Sequence, residues 1–248
     1  MKNSNKRDDL TKYLDSLLSS KAKDYCYNGL QIQGKPVINK LVTAVSLNLR
    51  TIKAAVAKKA DAILVHHGLI WGGLKKIHGL DKLRMQAILA NDINIYAYHL
   101  PLDFHQEFGN NVLFGNAIEA NNALVSKANL PIWYQEITYS LDDLLQKLET
   151  VLKRKPKVYG SLIQNIHKIG WCTGAAADEI LQAHSLGCDT FISGETSERT
   201  PDMALELNMN YIEVGHYASE TFGVKALANI IGQNFNIESE FIDLFNFV

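Results

Sequence analysis

The chain has 248 residues, 47% of them hydrophobic, and 25 basic against 26 acidic side chains give a formal net charge of -1. That is apolar material for one large α/β domain or two small ones, and near-neutrality removes any electrostatic case for nucleic acid or an anionic membrane surface as partner. The opening Met-Lys-Asn-Ser-Asn-Lys-Arg-Asp-Asp is not followed by the apolar core of a signal peptide, and no later run reaches membrane-spanning length, so a cytoplasmic protein is expected. Cys26, Cys172 and Cys188 are scattered without CxxC spacing, which argues against a disulfide scaffold and a thiolate zinc site. Arg7, Arg50, Arg84, Arg154 and Arg199 are the only arginines, few for a bidentate clamp on a triphosphate.

In residues 8–20, Leu10, Leu14, Leu17 and Leu18 share one face of an amphipathic helix. Asp24-Tyr-Cys-Tyr-Asn-Gly-Leu-Gln31 contains an Asn-Gly turn signal and reads as a loop laid on the core, with polar groups free to face a site. Residues 41–45, 51–60 and 61–65 then form a strand, a helix and a strand. After a glycine- and lysine-rich loop over 72–78 come a helix over 82–90 and a third strand over 93–98. Pro101 cannot continue a central strand, so the chain turns there and leaves His99 and Asp103 at the strand's carboxyl end, the edge where open α/β sheets bind ligands.

The second half repeats this order. Residues 168–172 are strand-like, 175–186 helical, and 187–192 a strand ending in Ser193-Gly-Glu195. A helix over 202–207 leads to a strand over 210–214 that ends in Gly215-His216-Tyr-Ala-Ser-Glu220. "KADAILVHHG" parallels "GCDTFISGE", and both third strands finish with a His four residues before a carboxylate. We therefore expect two α/β lobes of similar βαβ organisation, over 1–125 and 126–248, with the C-terminal helix and strand packing back on the first lobe. The plain alternative is that βαβ segments always look alike. Between the lobes lie a helix over 141–151 and the basic run Lys153-Arg-Lys-Pro-Lys157, a solvated turn by default and otherwise a phosphate patch.

The strand ends collect His66, His67, His99, Asp103, His216 and Glu220, an inventory of metal ligands without thiolate that suits Zn, Fe, Mn, Co or Ni. Adjacent strand residues diverge, so two ions fit better than one. One workable partition puts His67 and Asp103 on one ion and His66 and His216 on the other, with Glu220 bridging. Such a site favours hydrolysis by metal-bound hydroxide on an anionic substrate. His99 is a candidate general acid or supporting residue, and Glu195 a candidate proton acceptor; a core histidine and a surface carboxylate are the plain alternatives. Gly109-Asn-Asn111 reads as a tight loop. No phosphate loop, dinucleotide fingerprint, HExxH helix or G-x-S-x-G elbow is present.

"DYCYNGLQIQG", "VHHGLIW", "YHLPLDFHQEFGNN", "WCTGAAADEI", "DTFISGETSE" and "GHYASE" occur in this order over nearly the whole chain. Together they resemble the GTP cyclohydrolase 1 type 2 homolog family of Nif-three-like, or YbgI-like, dimetal proteins. The resemblance implies metal ligands at His66, His67, Asp103, His216 and Glu220. It also implies two interlinked α/β lobes with a dinuclear site between them, two divalent ions per subunit, and a ring-shaped homohexamer. Ser46-Leu-Asn48 departs from many members after the first strand. The functional expectation is a dimetal hydrolase acting on a small anionic or nucleotide-like substrate. The alternative is a non-enzymatic metal-binding, storage or adaptor protein.

Overall fold

The computed structural model describes residues 2–20, 22–73 and 76–248. Leu74 and Lys75, in the expected loop over 72–78, lie outside the described residues. The strands are β1 (Gly29–Ile32), β2 (Lys40–Ser46), β3 (Ala62–His67), β4 (Asn94–Ala97), β5 (Leu124–Val125), β6 (Trp133–Ser140), β7 (Lys157–Gly160), β8 (Asn165–Cys172), β9 (Thr190–Ser193), β10 (Asn210–Glu213) and β11 (Glu238–Phe241). They form two mixed sheets, ordered β1-β4-β3-β2-β11 and β5-β6-β8-β9-β10-β7.

The chain divides into two compact units. The first holds residues 1–103 and 223–244, the second 104–222 and 245–248, so the chain passes between them three times. The division falls after Asp103 and not near residue 125, because Phe104, Phe114, Ile118 and Ala120 pack with Trp133 and Trp171 in a core of the second unit. Residues 223–244 belong to the first unit, where β11 pairs in parallel with β2.

In the first unit, β2, β3 and β4 run parallel, and the buried Val42, Ala44, Ile63, Val65, Ile95 and Ala97 build its core. Near-continuous burial along such strands is what a parallel sheet covered on both faces requires. The expected first helix spans Arg7–Leu17 and buries Leu10 and Leu14. The expected loop over 24–31 is a loop only as far as Asn28; from Gly29 the chain pairs with β4 as the antiparallel strand β1.

In the second unit, β8, β9 and β10 run parallel, while β6 and β7 are antiparallel to their neighbours. Helix Leu141–Leu152 starts at Ser140, whose side chain accepts the Asp143 amide as an N-cap. The basic run after it is not an open phosphate patch. Arg154 and Lys157 each lie 3.1 Å from a carboxylate oxygen of the buried Glu213. Gly109-Asn-Asn111 is not a tight loop: Gly109 precedes helix Asn110–Ala117, and the buried Asn111 accepts the Thr173 amide at 2.9 Å and the Trp171 indole N–H on its carbonyl at 3.0 Å.

Candidate functional site

In the first unit the site grows from the carboxyl ends of β2, β3 and β4. β3 ends in His66 and His67, and the buried His66 donates its Nδ1 proton to the Tyr98 carbonyl at 2.9 Å. A carbonyl only accepts, so this bond fixes the tautomer and puts the ring's lone pair on Nε2, the nitrogen a ligand would meet. His66 Nε2 lies 3.4 Å from Asp103 Oδ1. His67 Nδ1 pairs with Ser46 Oγ at 2.9 Å, which gives Ser46 a polar role.

The two rings do not diverge. Their centroids are 4.6 Å apart, because His67 is the last residue of β3 and Ser46, its partner across the β2–β3 pair, draws its ring over the sheet end. His66, His67 and His99 each offer one ligand nitrogen, all within 4.8 Å of one another, and this cluster is able to hold a metal ion.

His99 is held from the loop before β1. Its Nδ1 donates to Asp24 Oδ1 at 2.9 Å and its amide to Asn28 Oδ1 at 2.8 Å. Asp24 also accepts the Cys26 amide, the Asn28 side chain and the Leu100 amide. Burial alone would raise the Asp24 carboxyl, but His99, Asn28 and the Cys26 amide outweigh it and hold it well below the usual carboxylate range. Around Pro101 the chain forms one helical turn, Leu100–Asp103, in which the Asp103 amide bonds to the His99 carbonyl. Gln31 braces the segment after Gly68 by accepting the Leu69 and Ile70 amides at 2.8 and 3.0 Å.

In the second unit the site grows from the ends of β9 and β10. Gly215, with φ +92°, turns the chain so that His216 opens the short helix His216–Ser219, and Glu220 follows one turn on. His216 Nδ1 donates to Glu195 Oε1 at 2.6 Å, and its Nε2 faces Glu220 Oε2 at 3.0 Å. Burial disfavours the charged imidazole, but bonds and charge from Glu220 and Glu195 outweigh it and push His216 up to about 9. Ser219 ties the turn together, donating to the His216 carbonyl and accepting the Gly174 amide. Gly194 admits no side chain, since a Cβ there would fall 2.7 Å from the Gly174 carbonyl and 2.8 Å from His216 Cα.

Six of the seven residues singled out from sequence are ring nitrogens and carboxylates at strand ends whose geometry suits a hard or borderline cation; the seventh, Glu195, stands behind His216 as its hydrogen-bond acceptor. The donor set fits a metal. For His66 and His216 the Nδ1 proton is committed to a carbonyl or carboxylate, so Nε2 is the ligating nitrogen, and in His99 the same commitment leaves Nε2 for a ligand or a proton; the carboxylates of Asp103 and Glu220 are buried, and the clusters contain no thiol. Sequence reasoning allowed the polar groups of the 24–31 loop to face a site without singling out Asp24, Asn28 or Gln31, and it missed Ser46 as a support. The only signal for the first three was the polar composition of a loop beside an Asn-Gly turn.

A family model described as Duf34/NIF3 (NGG1p interacting factor 3) matches residues 5–246. A Haemophilus influenzae protein named GTP cyclohydrolase 1 type 2 homolog is 39% identical over 239 residues, covering 93% of this chain and 94% of that one. Among solved structures, the protein ybgI, described as of unknown function, superposes with a TM-score of 0.90 at 35% identity over 97% of this chain and 99% of its own. TTHA1606 from Thermus thermophilus gives 0.89 at 30% identity, covering 98% and 100%.

Proposed function

Because the chain belongs to the Duf34/NIF3 family, we propose that it is a dinuclear-metal hydrolase acting on a small, nucleotide-like substrate. The observation that carries this reading is that each unit, taken alone, supplies a ligand pair with its supports already in place: His66 with Asp103, and His216 with Glu220. The partition we propose follows those pairings. His66 and Asp103, with His67 beside them, would help hold one ion, and His216 and Glu220 would help hold the other. It differs from grouping His66 with His216, because Asp103 lies against His66.

A divalent pair held by these residues supplies Lewis acidity and an activated water for hydrolysis. The chain's own groups supply the rest. The Tyr98 carbonyl and Ser46 hold the imidazoles of His66 and His67 in ligating orientation. His99, its Nδ1 proton committed to Asp24, presents Nε2 as a proton acceptor beside His66 and His67 and returns that proton to the leaving group. Glu195 orients His216. The ring-shaped homohexamer belongs to the same reading and rests on family membership; light scattering on the purified chain tests it.

Asp103→Ala separates this reading from that of a metal-storing or adaptor protein. A hydrolase loses bound metal and turnover of a substrate found by metabolite screening, by about a hundredfold or more, while its unfolding midpoint stays near that of the parent. If no metal-dependent turnover is found in the parent and Asp103→Ala collapses the fold, the metal is structural.

A further inference from the structure

A cavity of about 520 Å³ in the second unit adjoins the ligand geometry described above without containing any of the proposed ligands. Its walls are residues 175–179 and 195–199 together with Leu130. These two loops follow β8 and β9, adjacent parallel strands, so the cavity opens at the carboxyl edge of the sheet, where α/β folds bind small molecules. Its volume lies within the few hundred to a thousand Å³ usual for such pockets. One wall residue, Glu195, also holds His216 Nδ1, so whatever fills the cavity lies one side chain away from a proposed metal ligand.

The lining selects what fits. The run Ala175-Ala176-Ala177 and Leu130 give a shallow apolar floor without bulk, suited to the face of a flat ring. Around that floor stand Asp178, Glu179, Glu195 and Glu198, and the cation among the described lining residues is Arg199. The Arg199 guanidinium is already engaged, with Nε and a terminal nitrogen 3.2 and 2.5 Å from the two Asp178 oxygens. A phosphate or carboxylate entering here meets the carboxylates of Glu179 and Glu198 and a guanidinium already paired with Asp178. A neutral ring with N–H donors meets acceptors.

We infer that this cavity binds the base-like part of the substrate, an uncharged heterocycle bearing exocyclic amino or ring N–H groups, which Glu198 and the edge of Glu195 read as hydrogen-bond acceptors. The inference rests on the hydrolase reading only for what happens to the bound molecule. It also narrows that reading, since any anionic part of the substrate belongs elsewhere than in this cavity.

The test is calorimetric titration of the zinc-loaded full chain with guanosine, adenosine, cytidine and 2-amino-4-hydroxypteridine, and with inorganic phosphate as the anionic counterpart. At least one of the four heterocycles should bind. Ala175→Leu, which fills the cavity from an exposed position, should weaken that binding about tenfold or more, and Glu198→Gln about threefold to tenfold. Both variants should keep the parent's zinc content and melting temperature. The inference is overturned if none of the four binds at millimolar concentration, if Ala175→Leu leaves binding unchanged, or if inorganic phosphate competes for the cavity. Because binding is read without turnover, such a failure leaves the hydrolase reading standing, and a protein that binds a heterocycle but never hydrolyses anything sinks only the latter.

Discussion

The two units share a frame and differ where it ends. In the first, Asp61 stands before β3 and accepts the Asn39 and Lys40 amides at 2.9 and 3.2 Å; in the second, Asp189 stands before β9 and accepts the His167 and Lys168 amides at 2.7 and 3.2 Å. Asn94 at the start of β4 takes the Gly34 amide on its side-chain oxygen, and Asn210 at the start of β10 takes the Ile163 amide. Asn94 pairs with Ala62 and Asn210 with Thr190, so the registers match. At the carboxyl ends the likeness stops. In the register of those pairs His66 and His67 correspond to Gly194 and Glu195, and the first unit holds its β3 imidazoles with a carbonyl and a hydroxyl while the second holds its one imidazole between two carboxylates. The amino ends carry the shared frame and the carboxyl ends carry the candidate ligands. The electrostatic difference also gives the second unit a high affinity for a proton where a metal would sit.

The largest effect that would break the comparison is at the strand-end glycines. A Cβ at Gly194 meets backbone, whereas one at Gly68 meets the Ala97 methyl and the Gln31 side-chain amide at about 2.5 Å. Gly194→Ala and Gly68→Ala should each cost about 3 kcal/mol, since the Ala97 methyl is fixed to β4 and only the Gln31 side chain can move aside. Denaturant midpoints of the two variants check this, and a near-neutral Gly68→Ala would mean that the first unit's strand end yields where the second's does not.

The frame itself is sharpened by Asp61→Asn against Asp189→Asn. Burial raises the Asp61 carboxyl, but Lys35 and the Asn39 and Lys40 amides outweigh it and hold it low. Its contribution is therefore complete above the unfolded value of about 3.9 and is lost as pH falls through the lower folded value. Asp61→Asn should cost about 2 kcal/mol at neutral pH, and the gap to the parent should close in acid. Asp189→Asn, with no lysine partner described, should cost about 1 kcal/mol. Unfolding curves from pH 7 down to the acid limb give both numbers.

The smallest effect concerns protons. With His216 held near 9, the metal-free second unit gains stability from this group that is full below about 6.5 and disappears as pH rises through 9. Glu195→Gln removes one of the two carboxylates responsible and should bring the His216 midpoint down toward 6.5, read from its ring-proton shifts in the metal-free protein. An unmoved midpoint would assign the whole effect to Glu220.

Much of this was legible in the chain because periodicity and turn residues are local. The alternation of strand and helix from Leu41 onward, the halt at Pro101 and the His-to-carboxylate spacing in both halves follow from neighbouring residues alone. What was not legible depends on residues far apart in sequence. Asp24 reaches His99 across 75 positions, and Gln31 braces Leu69 across 38. The return of the C-terminal helix and strand to the first lobe was expected, and it is the parallel pairing of β11 with β2 that local pattern did not give. Ser46 looked like a departure from pattern, and only its place beside His67 on the next strand gives it a role.

The central claim is that the chain supplies two metal positions and not one. Elemental analysis of the full chain, loaded with zinc and freed of excess by gel filtration, tests this most directly. The account predicts two ions per chain in the parent and one or fewer in Asp103→Ala with the fold retained. One ion or none in the parent would contradict it.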